Sequence, residues 1–149
     1  MTKGTVIKVS EVLPFSHPDF KGQFTSKMLI DRDNSGSERL QINHFTLKPG
    51  CQTDGAAHKA PYDEIYYVLS GKAILHLGGV DYDIAKDTIA FIPGGTFHSL
   101  TNKSKTKKFV ILTIWPLPPE PGVNGVYDLR KQTWGKTFKK REKQSYGRK

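Results

Sequence analysis

The chain has 149 residues, of which 36% are hydrophobic and 11% aromatic, and its formal net charge is +9. A chain of this length is expected to form one domain around a single core. Residues 130–149 hold nine Lys or Arg residues and one acid, a net of +8, while the other 129 residues hold 14 basic and 13 acidic residues, a net of +1. The folded body is therefore nearly neutral, and its charge argues against a nucleic-acid-binding function.

Membrane and secretory signals are missing from the sequence. No apolar run approaches the roughly 20 residues that cross a bilayer, and the opening MTKGTVIKVS lacks the apolar core of a signal peptide. The single cysteine, Cys51, rules out an internal disulfide and agrees with a reducing compartment. We expect a cytoplasmic protein with no membrane partner.

The predicted elements, in chain order, are all β strands, because short runs rich in Val, Ile, Tyr, Phe and Thr alternate with turn residues such as Pro49-Gly50 and Gly78-Gly79. Short strands at regular spacing predict an all-β sandwich or barrel. The predicted strands are Thr5–Val9, Phe24–Ile30, Leu40–Leu47, Glu64–Leu69, Lys72–Leu77, Asp81–Ile84, Thr88–Ile92, Thr96–Thr101 and Lys108–Trp115.

The alternation of side chains along a strand predicts which residues share the interior. If Glu64 points inward, Tyr66 and Val68 do so too, and an inward His98 brings Leu100 with it. In the strand after Gly71, the apolar face is expected to point into the core and His76 to point outward. Both faces of Leu40–Leu47 are mixed, and the pattern does not decide between them.

Two segments carry residues with the spacing of a functional motif. In the segment DTIAFIPGGTFHSLTN (87–102), a strand runs into a Pro-Gly-Gly turn that is followed by His98 and Asn102. A tight turn of this kind is a way to aim an imidazole into the mouth of a β-barrel. Upstream, His58 precedes Glu64, and Gly71 follows the next strand.

These two segments resemble the two signature motifs of the cupin superfamily. Pro93, Gly95, His98 and Asn102 fit the second motif, in which Asp87 replaces the leading glycine. The first motif has a histidine pair, H-x-H, of which this chain keeps only His58. Counting back from Glu64 makes Ala60 the missing second histidine, whereas counting forward from Gly50 makes Ala56 the missing first, and both registers stay open.

The resemblance covers about residues 38–115 and implies a double-stranded β-helix, the jelly-roll barrel of cupins. Residues 1–37 would then be N-terminal strands flanking the barrel. Residues 116–138 would form a Pro-rich segment and C-terminal extension, and residues 139–149 a basic disordered tail.

The resemblance also implies a divalent metal ion, either Fe, Mn, Ni or Zn, held by His58, Glu64 and His98. Two imidazoles and a carboxylate are a suitable set for such ions and leave positions open for substrate. The alternatives considered for the missing imidazole are Cys51, Asp54, Asp63 and His44, of which Asp63 is expected to point away from Glu64. Candidate catalytic residues beside the metal are Tyr66, Tyr62 and His44.

The expected function is that of a metal-binding enzyme, an isomerase, epimerase or lyase, that acts on a small sugar-like or keto-acid molecule. A non-haem Fe(II) dioxygenase is the first alternative, and a metal-free module that binds or senses a small ligand is the second. A homodimer is expected, with outward Tyr67, Leu69 and Ile74 supplying an apolar patch.

Overall fold

The computed structural model describes residues 4–12, 14, 22–57, 60 and 62–116, with residues 33 and 34 described by their backbone alone. His58, the C-terminal extension beyond residue 116 and the basic tail lie outside the described residues, so the predictions made for them stay predictions. No helix within the described part of the chain is long and apolar enough to cross a membrane.

Eight strands make up the described structure, accompanied by a 3-10 turn at Val9–Glu11 and a one-turn helix, α1, at Arg32–Ser35. The strands are β1 (Phe24–Ile30), β2 (Leu40–Leu47), β3 (Glu64–Ser70), β4 (Lys72–Leu77), β5 (Val80–Ala85), β6 (Ile89–Ile92), β7 (His98–Thr101) and β8 (Phe109–Pro116).

Eight of the nine predicted strands are confirmed, and one is wrong. Residues 4–8 form no strand, and the side chain of Val6 is 82% exposed. The sequence Thr5–Val9 has strand-forming residues, but a strand also needs a neighbour that completes its hydrogen bonds and covers one face. Here the segment instead ends in the 3-10 turn, where the carbonyl of Val9 accepts a hydrogen bond from Lys27 Nζ.

The strands form two antiparallel sheets whose inner faces enclose the core. The larger sheet has the order β1-β2-β8-β3-β6, and the smaller has the order β5-β4-β7. This is the predicted jelly-roll barrel. Its core comprises Phe24, Phe45, Leu47, Tyr66, Val68, Ala73, Leu75, Ile84, Ile92, Leu100, Phe109 and Ile111.

The structure decides the orientation of β2, which the sequence pattern left open. The buried residues of this strand are Gln41, Asn43, Phe45 and Leu47, and the residues between them are only half-buried or exposed. The inner face of β2 therefore combines two amides with two apolar side chains. On β4, Ala73 and Leu75 are buried and His76 lies on the outer face, as predicted.

The three outward residues predicted for a dimer interface do not share one surface. Tyr67 and Leu69 lie on β3 of the larger sheet, whereas Ile74 lies on β4 of the smaller one. The outer face of the larger sheet nevertheless carries exposed apolar residues, since Ile89 and Phe91 of β6 are 67% and 59% exposed. The homodimer stays a prediction.

Candidate functional site

The interior of the barrel changes from apolar to polar along the three central strands of the larger sheet, β2, β8 and β3. Strand register places inner side chains in cross-strand rows, and two of the rows are apolar: Leu47 with Phe109, then Phe45 with Ile111 and Val68. The following two rows are rich in polar groups: Asn43 with Thr113 and Tyr66, then Gln41 with Trp115. Glu64 lies at the same end, two residues before Tyr66 on the buried face of β3. We call these last two rows the polar end of the barrel.

Buried polar side chains cost free energy that apolar side chains would not, about 1–3 kcal/mol for each group whose hydrogen bonds are incomplete. Asn43 Oδ1 and Thr113 Oγ1 are buried and have no hydrogen-bond partner among the described residues. The amide nitrogen of Asn43 donates to Ser26 Oγ over 3.4 Å. Such groups in a barrel interior are typical of a binding site rather than of a core.

The second motif delivers His98 to this polar end from the opposite sheet. A turn begins at Pro93, whose carbonyl accepts a hydrogen bond from the N–H of Thr96 over 3.2 Å, and it places Gly95 at φ +82°. A side chain with a Cβ is strained at such a φ, so glycine suits this position. Two residues beyond the turn, β7 begins with His98, which is only 5% exposed.

His98 and Glu64 meet between the two sheets. His98 Nε2 lies 3.6 Å from Glu64 Oε2, and Glu64 is 1% exposed. The other ring nitrogen, Nδ1, lies 2.9 Å from the carbonyl oxygen of Thr96. Because a carbonyl oxygen only accepts, Nδ1 carries a hydrogen, and in the neutral ring Nε2 has the lone pair that faces Glu64.

The protonation of His98 reflects two opposing effects. Burial lowers the pKa of the imidazole, but the carboxylate of Glu64 and the carbonyl of Thr96 stabilise the charged ring, and the net pKa lies above its usual value. The pair therefore favours a positive charge in this position when no other cation is present.

The geometry of the pair fits a shared metal ion. Two ligand atoms about 2.1 Å from one ion, at the tetrahedral angle, lie about 3.4 Å apart, which is close to the 3.6 Å between Nε2 and Oε2. The Nδ1 hydrogen bond to a carbonyl is also the usual way in which a ligating histidine is oriented. Within the described part of the chain no third His, Cys, Asp or Glu joins the pair, and His58 lies outside that part.

The segment that leads to His58 runs beside β7. Ala56 forms an isolated antiparallel bridge with His98, in which the N–H of each residue donates to the carbonyl of the other, over 3.0 and 2.9 Å. Thr53 makes similar contacts to Leu100, through its own N–H and through its hydroxyl. The two motifs are thus hydrogen-bonded to each other.

Of the candidate catalytic residues, Tyr66 lies beside the pair. Its ring contacts that of His98 edge-on, with centroids 5.9 Å apart and an interplanar angle of 71°, and it is 7% exposed. Tyr62 is half-buried and precedes the start of β3 by two residues.

The structure separates the third candidate, His44, from the site. His44 pairs with Lys27 on β1 and Leu112 on β8, on the outer face of the sheet, whereas its neighbours Asn43 and Phe45 point inward. Partial burial and then Lys27 lower the pKa of His44. We therefore exclude His44 both as a catalytic residue and as a substitute ligand.

Three other residues considered as substitute ligands have different positions or roles. Asp63 Oδ1 accepts a hydrogen bond from the N–H of Gly94 over 3.0 Å and so stabilises the turn before His98. Cys51 packs against the apolar core, and Asp54 is exposed.

Asn102 of the second motif has a structural role in this chain. It is 1% exposed, its amide nitrogen lies 2.9–3.3 Å from the carbonyls of Leu47, Lys48 and Lys107, and its amide oxygen accepts from the N–H of Ser104. Asn102 therefore joins the loop before β8 to the end of β2 and does not contact the pair.

Comparisons with known proteins agree with this architecture. The family model described as the cupin domain matches residues 43–115. The protein therefore carries a small domain of the cupin superfamily, as the two motifs predicted. One relative is the tetracenomycin polyketide synthase protein TcmJ of Streptomyces glaucescens, which is 23% identical over 110 residues, or 73% of this chain and 72% of TcmJ.

Two solved structures show the same fold. The polyketide cyclase RemF from Streptomyces resistomycificus superposes with a TM-score of 0.67 at 24% identity, covering 83% of this chain and 86% of RemF. A protein described as a predicted oxalate decarboxylase from Thermotoga maritima gives a TM-score of 0.66 at 23% identity, with 76% and 99% of the two chains covered.

Proposed function

We propose that the protein is a metal-dependent enzyme of the isomerase, epimerase or lyase type that acts on a small polar carbonyl compound. The observation that carries this proposal is the buried pair of Glu64 and His98, whose facing atoms lie 3.6 Å apart at the polar end of the barrel. The fold and the names of similar proteins support an enzyme of the cupin superfamily. The proposed type of reaction is argued from the residues of this site.

Glu64 and His98 would hold a divalent cation, with His58 of the first motif as the proposed third ligand. When bound, such a cation supplies a Lewis acid that polarises a carbonyl oxygen and lowers the pKa of the neighbouring C–H. Tyr66 lies beside His98 and would hydrogen-bond the substrate or move a proton. Tyr62, two residues before β3, has the same proposed role.

The names of the similar proteins are compatible with this chemistry. RemF is a polyketide cyclase and TcmJ belongs to a polyketide synthase. Polyketides carry several carbonyl groups, and ring closure between them begins with loss of a proton beside a carbonyl, as does isomerisation of a sugar or keto acid. The reactions covered by the proposal therefore share one step, the transfer of a proton from a carbon next to a carbonyl group.

Metal analysis of the purified protein tests the proposal. We expect about one divalent ion per chain, lost in Glu64→Gln and in His98→Gln, which preserve side-chain size while changing the donor atoms. His76→Gln is the matched control, because His76 lies on the outer face, hydrogen-bonded to Asp81 and Thr101, and this variant should retain the metal.

The same experiment separates the alternatives. Iron together with oxygen uptake in the presence of substrate would indicate a dioxygenase and contradict an isomerase or lyase. Protein that takes up none of Fe, Mn, Ni or Zn, but still binds a small ligand, would refute the metal enzyme and leave a binding module.

A further inference from the structure

The outer face of the larger sheet is apolar across β8, β3 and β6. These residues project outward, because the residues that alternate with them along β3 and β8 are buried. Strand register arranges them in two neighbouring rows, one of Ile114, Ile65 and Phe91 and the other of Leu112, Tyr67 and Ile89. We call these six residues the outer patch. The outward face of an antiparallel sheet is polar where it meets water, so an apolar patch indicates that another group covers it.

The two edges of this face differ in what contacts them. At the β1 edge, Lys27 Nζ donates a hydrogen bond to the carbonyl of Val9 over 3.0 Å, so the N-terminal segment lies beside the outer face there. At the β6 edge, Ile89 and Phe91 are 67% and 59% exposed in the part of the chain that the structure describes. The β6 side of the outer patch is therefore the part that is open to an occupant.

The chain continues from the outer patch into a segment that is rich in apolar residues. β8 ends at Pro116, two residues after Ile114. Residues 117–138, which we call the C-terminal segment, include Val126, Tyr127, Leu129, Trp134 and Phe138. β6 lies two strands away from β8, or about 10 Å, and the ten residues from Pro116 to Val126 span up to about 33 Å when extended. The aromatic residues of the C-terminal segment are thus within reach of the patch.

The size of the outer patch fits a tethered segment better than a second subunit. With strands about 4.8 Å apart and outward residues about 6.8 Å apart along each strand, three strands and two rows have a footprint of about 200 Å². A stable interface between two proteins covers about 800 Å² on each partner. A segment of the same chain needs less contact, because the tether raises its effective concentration to the order of millimolar.

We infer that the C-terminal segment packs on the outer patch of its own barrel, with its aromatic side chains against Phe91 and Ile89. This inference does not depend on the metal or on the reaction under Proposed function. It gives the exposed β6 side of the larger sheet an occupant from the same chain, so that the expected homodimer would use another surface.

Quenching of tryptophan fluorescence by acrylamide in the full-length protein tests the inference. The chain has two tryptophans, so the difference between the wild type and Trp134→Phe isolates the signal of Trp134. A synthetic peptide of residues 117–138 contains Trp134 alone and gives the quenching of an uncovered indole. We expect Trp134 in the protein to be quenched several-fold less than in the peptide. This protection should be the same at every protein concentration, because the contact lies within one chain.

Phe91→Ser removes an aromatic side chain that the C-terminal segment would cover. Burial of a phenylalanine shifts an equilibrium by roughly tenfold or more, so this variant should raise the quenching of Trp134 towards the value of the peptide. Phe97→Ser is the matched control, because Phe97 is 57% exposed but lies directly before β7 of the smaller sheet, and it should leave the quenching unchanged. Thermal unfolding checks that each variant folds, and Ile89→Ser should act as Phe91→Ser does.

Three results would each overturn the inference. If Trp134 is quenched as strongly in the protein as in the peptide, the C-terminal segment leaves the patch open. If neither Phe91→Ser nor Ile89→Ser changes the quenching, the segment packs elsewhere, for example over an end of the barrel. If the protection of Trp134 grows with protein concentration, together with a dimer mass by light scattering, the contact is made with a second copy of the chain.

Discussion

Replacement of Thr113 by valine tests whether the polar end of the barrel is maintained at a cost in stability. Thr113 is 5% exposed, and its hydroxyl is buried without a hydrogen-bond partner among the described residues. Valine has nearly the same shape and replaces the hydroxyl by a methyl group. A buried unsatisfied hydroxyl costs about 1–3 kcal/mol, so Thr113→Val should raise the free energy of unfolding by about 1–2 kcal/mol.

Urea denaturation gives the free energy of unfolding of both proteins, and thermal unfolding should show a rise in Tm of about 3–6 °C for a domain of this size. Thr46→Val is the matched control, because Thr46 lies on the outer face of β2 and is half-buried. Its effect should stay within about 0.5 kcal/mol. A loss of about 1 kcal/mol or more in Thr113→Val would refute the reasoning, because it would mean that the hydroxyl is hydrogen-bonded in the folded protein.

Three further predictions concern His98, Asn102 and Gly71. The folded-state pKa of His98 is raised, so its stabilising contribution in the metal-free protein is complete below pH about 6.5 and is lost as the pH rises through the folded-state pKa. Urea titrations at several pH values should show this decrease in the free energy of unfolding. The decrease should be absent in His98→Gln. Asn102→Ala should lower the free energy of unfolding by about 2–4 kcal/mol, because buried carbonyls lose their donor; an effect below about 1 kcal/mol would contradict that role. Gly71→Ala should lower the free energy of unfolding by at least about 2 kcal/mol, since φ is +81° and the new Cβ would lie 2.3 Å from the carbonyl oxygen of Lys108. Gly79→Ala is the control, because Gly79 has a similar φ but no atom within 4 Å of the Cβ. Denaturant unfolding of this variant measures the part of the loss that is due to φ alone.

Strand positions were predictable from the sequence because turn residues separate them so regularly. β1, β2 and β4 have the predicted bounds, and the others differ by at most two residues at an end. The strand predicted at Thr5–Val9 failed because residue propensity says nothing about whether a neighbouring strand is present. The inward direction of β2 was equally hidden, since Gln41 and Asn43 make its interior face look like a surface.

The site was predictable in part. The spacing of the second motif identified His98, and alternation placed Glu64 and Tyr66 on the inner face, where the structure has them. Spacing alone left the choice between Ala56 and Ala60 open, and the backbone pairing of Ala56 with His98 was not visible from the sequence. Thr113 was missed, although a threonine at a core position of a central strand was a signal.

The change from apolar to polar rows inside the barrel has a consequence for how such a protein diversifies. Substitutions near Leu47 and Phe109, which are both 0% exposed, are penalised by unfolding. Asn43 Oδ1 and Thr113 Oγ1 are buried without a hydrogen-bond partner among the described residues, so we expect substitutions at these two positions to change the lining of the polar end at less cost to folding. If the proposed function holds, changes of specificity would begin at this end of the molecule, while the apolar rows preserve the architecture.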